Sequence, residues 1–210
     1  MNLKGYVLGN PLTEELLGSR YTFAHRVSLL SNELYEDLKP VNIYHVLEPS
    51  CSDPSPPKQC RGDKGNYRFF PIWANNLKVR EALHIREGTK ANWVRFNTSV
   101  AYTRNVKSSF GYHQNLTKEL LHALIYSGDQ DMAMTYVGSL AWITRLKLSI
   151  VDRWKPWFTK QEVAGYTTKY SNGHYHLTFV TVKGAGHTAV EYKPRECFNM
   201  FIEWLGTQTL

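Results

Sequence analysis

The chain has 210 residues, 42% hydrophobic and 13% aromatic, and a formal net charge of +7 from 25 Lys and Arg against 18 Asp and Glu. That length and composition suit one domain, or part of a larger one, with a sizeable core, and exclude general disorder. The positive excess contains no run of five basic residues, so no nucleic-acid partner is expected, and no stretch of 18 apolar residues offers a membrane span.

In chain order, Leu3 to Leu8 reads as a short apolar strand ended by Gly9-Asn10-Pro11. Tyr21 to Leu30 reads as a short helix. Ser31 caps a second helix, Asn32 to Leu38, with Glu33 in its first turn and Pro40 as its stop. Pro49 to Asn66, rich in Ser, Pro, Gly and charge, reads as loop. The spacing of Val79, Ala82 and Leu83 predicts a helix over Asn75 to Ile85. Ala123 to Tyr126 is a short strand running into Gly128-Asp129. Tyr136, Leu140 and Ile143 then recur at helical spacing. Glu162 to Tyr170 and Tyr175 to Val182 predict a hairpin across a turn containing Asn172-Gly173. Pro194 opens a last helix whose apolar stripe is Cys197, Met200, Phe201 and Trp204.

Strands alternating with helices describe an α/β fold with its site at the carboxyl edge of the sheet. Four visible strands are too few to bury both faces of a doubly wound sheet. The sequence therefore reads as the trailing part of one, an incomplete mixed sheet with flanking helices.

Two loops carry the chemistry. His187 stands in Gly184-Ala185-Gly186-His187-Thr188, directly after a strand, and Asp131 in Ser127-Gly128-Asp129-Gln130-Asp131, after another. A hydrolase triad needs a hydroxyl that attacks, a histidine that takes its proton, and a carboxylate that fixes the histidine tautomer. Acid before histidine is the order of the last two members in α/β-hydrolases. Asp129 competes with Asp131 for the acid role or caps the turn, and the bland alternative for His187 is a surface turn. No Gly-x-Ser-x-Gly nucleophile elbow occurs in the 210 residues. The other seven histidines have no comparable setting, with His25 and His113 the nearest to cleft candidates.

Cys51 and Cys60 bracket a Pro-rich loop. A disulfide between them is expected in an oxidising compartment, with two free thiols as the alternative. Cys197 reads as a buried core thiol. No cysteine and histidine set has metal-ligand spacing, so neither a metal nor a cofactor is expected. Asn97-Thr98-Ser99 and Asn115-Leu116-Thr117 are sequons, used only in the secretory pathway. The start at Met1 shows neither the charged nor the apolar region of a signal peptide, so none is expected there.

Several of these strings resemble the plant serine carboxypeptidase-like family: Gly5 to Thr13, Trp73 to Leu83, Ile125 to Asp131, and Thr181 to Ala189. The resemblance runs over nearly the whole chain but covers only the C-terminal half of a family member. It implies that residues 1–210 are the C-terminal portion of one α/β-hydrolase domain, with 13–70 the remnant of a helical and loop insertion. It implies that Asp131 is the triad acid, His187 the base, and Cys51–Cys60 a family disulfide. The serine elbow and oxyanion-hole glycines would lie before Met1. The implied substrates are peptides or glucose esters, and the implied location is secreted or vacuolar. Asp131-Met132, His187-Thr188-Ala189 and Glu191-Tyr192-Lys193-Pro194 look more like the acyltransferase branch than the peptidases.

Three departures stand out. The nucleophile half is missing. Lys39-Pro40 runs straight into Val41-Asn42-Ile43-Tyr44, where relatives usually carry a longer insertion. Phe96 stands where relatives often have a cysteine. Three readings follow: a fragment inactive alone, a non-catalytic partner or decoy that binds a full-length relative, a complementary N-terminal half or itself, or a piece of a longer active enzyme.

Overall fold

The two-residue alternation of a strand buried on both faces organises the molecule. In a computed structural model describing residues 3–13, 33, 36, 38, 41–48, 69–86, 88, 92–94, 100–103 and 105–206, five strands form one sheet in the order β1-β2-β5-β4-β3. These are β1 Gly5–Gly9, β2 His122–Gly128, β3 Ser149–Thr159, β4 Glu162–Ser171 and β5 His176–Val182. β1, β2 and β5 run parallel, and β4 and β3 add antiparallel. The expected hairpin is β4–β5, and its turn region holds Gly173 at φ 95.

The strand β3 was not legible in advance. Pro156 and five charged or polar residues interrupt its apolar pattern, and it sits at the sheet's edge, where a missing N–H is tolerated. Register shifts between Ile150 and Asp152, Asp152 and Lys155, and Trp157 and Phe158 erase the alternation further.

Ala123, Ile125, Leu177 and Phe179 point to one face of the sheet, and Leu124, Val180 and Val182 to the other. The first face is covered by α3 (Phe110–Leu116) and α4 (Tyr136–Arg145), through Phe110, Leu116, Trp142 and Ile143. Thr135 caps α4 by accepting from Gly138 N at 3.1 Å. The second face is covered by α6 (Pro194–Gly206), whose Cys197, Met200 and Trp204 are buried as the stripe predicts, and α5 (Ala189–Tyr192) precedes it. Each large apolar side chain so buried contributes roughly 1.5–3 kcal/mol. Burial also pushes the Cys197 thiol up to about 11, with Glu196 adding to the shift.

By its contacts the chain forms two compact units, residues 1–48 with 106–210, and residues 49–105. In the second unit the single helix expected over 75–85 is two short ones, α1 Phe69–Ala74 and α2 Leu77–Ala82. The break comes from paired asparagines. Asn76 caps α2 by accepting from Lys78 N, while Asn75 turns its amide to the backbone of Trp93, accepting from its N at 2.6 Å and donating to its O at 3.0 Å.

The helix expected over 21–30, all but three residues of the helix and loop expected between 31 and 40, and the loop 49–66 lie outside the described residues. So do Cys51, Cys60, Phe96 and Asn97. Among the described residues no helix is long and apolar enough to cross a membrane.

Candidate active site

The two loops singled out in the sequence become neighbours because β2 and β5 are adjacent and parallel, with Gly128 opposite Val182 in register. Residues 56 positions apart thus leave the sheet side by side at its carboxyl edge, where α/β folds place their sites. The two turns approach closely. A Cβ on Gly128 would overlap the carbonyls of Ala185 and Gly186. Gly184 makes the turn itself at φ 70, a left-handed conformation open to glycine.

His187 Nδ1 lies 2.9 Å from Asp131 Oδ2. Asp131 is buried, and each of its oxygens is met by two donors. Oδ1 accepts from Ala133 N at 2.8 Å and from Met134 N at 3.0 Å, and Oδ2 from Asn10 Nδ2 at 2.6 Å as well as from His187. Four donors fill the acceptor sites of an ionised carboxylate, which has no proton to give. Facing such a carboxylate, His187 in its neutral form carries its proton on Nδ1, which leaves the Nε2 lone pair turned away from Asp131. That side chain is 35% exposed, and Nε2 has no hydrogen-bond partner among the described residues.

Asp129, the competing acid, is engaged elsewhere. Its Oδ1 accepts from Gly184 N at 2.8 Å and from Gln130 Nε2 at 3.0 Å, so it ties the first turn to the second without touching His187. His113 belongs to the core. It stacks on Trp142 at 4.7 Å, and its Nδ1 is 3.2 Å from Tyr6 Oη, which also pairs with Tyr175 Oη at 2.6 Å. Burial holds its pKa below the usual histidine value. The sequon residue Asn115 is exposed on α3, its Oδ1 accepting from Lys118 Nζ.

Two supports escaped the sequence reading. Asn10 was read only as part of a strand stop, yet its φ of 43 and the bond from its N to Tyr126 O turn its side chain onto the acid. A buried polar residue between Gly and Pro after a strand was the available signal. The second support is the strap 42–46, which was assigned to an insertion remnant. Ile43 O accepts from Met132 N and Ala133 N, Val46 N donates to Gln130 O, and Tyr44 O accepts from His187 N at 2.7 Å. One short segment, itself folded into successive turns, thus holds both loops through its main chain. Nothing in side-chain patterning reveals such a role. The Tyr44 ring lies 5.4 Å from that of His187, and His45 is buried against Tyr192 at 4.7 Å.

Comparisons with known proteins point one way. A family model described as serine carboxypeptidase matches residues 39–207. Serine carboxypeptidase-like 10 of Arabidopsis thaliana is 41% identical over 247 aligned residues, covering 100% of this chain and 54% of that protein. Serine carboxypeptidase-like 1 of the same plant is 40% identical over 243, covering 100% and 53%. The chain thus spans about half the length of the relatives it matches. Among solved structures, the prohormone-processing carboxypeptidase Kex1 of Saccharomyces cerevisiae superposes with a TM-score of 0.67 at 16% identity, over 99% of this chain and 55% of that one. At that identity the likeness concerns the fold, an α/β-hydrolase fold of which these residues form a part.

Proposed function

Because the chain belongs to the serine carboxypeptidase family, we propose that Asp131 and His187 are the acid and base of a serine-dependent acyl-transfer site. Its hydroxyl nucleophile comes from outside these 210 residues, which hold no nucleophile elbow. The observation that carries this reading is the 2.9 Å contact from His187 Nδ1 to a fully engaged Asp131, with the His187 side chain partly exposed and Nε2 without a partner among the described residues.

In that arrangement Nε2 takes the proton of the attacking hydroxyl as the oxygen bonds to the acyl carbon, and the buried carboxylate stabilises the imidazolium. Nε2 then gives the proton to the leaving group. In the second half-reaction it takes a proton from water or an alcohol, which displaces the serine oxygen. Through their resemblance to the family's acyltransferase branch, Met132 after the acid and the run Glu191-Tyr192-Lys193-Pro194 support an alcohol as acceptor and a glucose ester as donor over a peptide and water.

The test mixes the purified chain with the separately expressed front half of a family relative. Alone, the chain should take up no fluorophosphonate probe and turn over neither a glucose ester nor a peptide. The mixture should label at the front half's serine and transfer acyl groups. Labelling of the chain alone refutes the external nucleophile, and peptide turnover without ester turnover reverses the choice of donor.

A second reading, a docking role for a complementary half or a second copy, is favoured by one edge of the sheet. Among the described residues β1 pairs only with β2. Beside it Val7, Val190, Phe198 and Phe201 are 37%, 48%, 63% and 39% exposed around an apolar groove of about 320 Å³. Light scattering on the isolated chain should show self-association that the front half reverses; a monomer at high concentration removes this reading.

A further inference from the structure

The opposite ends of the same two strands carry a second cluster of chemistry-bearing side chains. His122 opens β2 and His176 opens β5, and the two are register partners. Their rings stack with centroids 4.9 Å apart and planes 9° from parallel. On the same face, two positions along, Lys169 of β4 stands opposite Thr178 of β5. Together with Trp204 of α6 and Val151 of β3, these residues line a cavity of about 300 Å³ that contains no carboxylate. Seven-residue strands separate it from Asp131 and His187, by about 20 Å at ~3.3 Å per residue. The proposed acyl-transfer chemistry makes no use of it.

We propose that this cavity is a binding site for a small oxyanion, a phosphate or a carboxylate, which it takes up together with protons as the medium becomes acidic. Two imidazoles face to face cannot both become charged without strong mutual repulsion in a partly desolvated place. An anion between them and the Lys169 ammonium removes that repulsion and accepts their N–H groups. The Thr178 side chain lines the same cavity, its hydroxyl available to an anion, and a tetrahedral or planar oxyanion is well within the volume.

The surrounding charges agree with an anionic guest. Burial and His176 both hold His122 below the ordinary histidine pKa. Burial lowers Lys169, with Asp152 opposing that shift and Lys155 adding to it. Asp152 of β3 is the register partner of Lys169 and also binds Lys155 Nζ at 2.6 Å, so one carboxylate stands between two ammonium groups and the excess beside the cavity stays positive. Tyr170 is held neutral by burial. A metal ion is the alternative for paired histidines. It is disfavoured by the lysine in the lining and by the lack of a third ligand, since no group of three His, Cys, Asp or Glu that could hold a metal ion occurs among the described residues.

The experiment follows the imidazole resonances of the 210-residue chain by NMR while inorganic phosphate, and separately acetate, is added at pH 5 and at pH 8. Phosphate should shift the His122 and His176 signals at pH 5 and raise the His122 titration midpoint by about one unit. Linkage through that one group then requires affinity up to about tenfold tighter at pH 5 than at pH 8. A larger effect of phosphate than of acetate assigns the site to phosphate; the reverse assigns it to carboxylates. The double variant His122→Gln and His176→Gln, and separately Lys169→Met, should abolish the shift while leaving the His187 signal in place, which also reports that the variants fold. Three results overturn the proposal: no change at pH 5 with either anion, equal shifts in the double variant, or a response to Ni²⁺ alone.

Discussion

The two ends of β2 and β5 present opposite designs. At the carboxyl ends, each oxygen of Asp131 meets two nitrogen partners, and the turns touch so closely that a methyl group at Gly128 has no room. At the amino ends, His122 and His176 stack half in solvent, and on the other face His113 shares the hydroxyl of Tyr6 with Tyr175. One edge fixes a geometry; the other stores protonation equilibria. Rigid positioning suits a base that must meet its acid in one orientation, and a half-exposed, repelling pair suits a response to the medium.

The sharpest way to break the contrast is at Asp131, the proposed acid. In a reconstituted enzyme, Asp131→Asn should lower kcat by about 10⁴-fold, because an amide at that site can no longer keep His187 in the Nδ1–H tautomer. The stability of the chain should fall far less than activity. Steady-state kinetics beside thermal unfolding separate the two.

Gly128→Ala comes next. Its Cβ meets backbone carbonyls of the base turn rather than yielding side chains, so the turns must part, at a cost of roughly 1–3 kcal/mol. Denaturant unfolding measures the loss, and the downfield Nδ1–H resonance of His187 should disappear with it. Retention of that signal would show that the turns can separate without breaking the pair.

Asn10→Ala removes one donor from Oδ2 and leaves the His187 contact standing. The expected cost is about 1–2 kcal/mol, with the downfield Nδ1–H resonance of His187 moved but kept. An Asn10→Ala chain with that resonance unmoved would reduce Asn10 to a packing role.

The smallest effect belongs to the amino edge. His113 and His122 are both held below the ordinary histidine value by burial. The folded state therefore favours their neutral forms, and the stability this provides is complete above the unfolded value of ~6.5 and lost as pH falls below it. Unfolding temperature should decline from pH 7 to pH 5 in low-salt buffer, and His113→Gln should flatten that decline. An unchanged slope would place the pH dependence in other groups.

The parts of this molecule that local chemistry dictates were legible. The run Gly184-Ala185-Gly186-His187 after an apolar strand, and Gly128 followed by two aspartates, announce turns that need small residues and carry polar ones. The stripe Cys197, Met200, Trp204 announces a helix against a sheet. The strand β3 was hidden by Pro156 and by bulges that destroy its period. The helix expected over 75–85 was split by a cap at Asn76 that the apolar spacing could not register. Which aspartate meets His187 also lay beyond local pattern. It depends on the backbone amides of Ala133 and Met134, which collect one carboxylate, and of Gly184, which collects the other.

The strap at residues 43–46 reaches the acid and base turns through carbonyls and an amide, atoms that nearly every amino acid carries. Substitution along it can therefore be frequent without moving His187 or Asp131. Chain length is another matter: one residue gained or lost between Ile43 and Val46 would slide each donor past its acceptor. In this stretch natural selection has a ruler to defend rather than a spelling, and variation among related chains should be rich in replacements and poor in gaps.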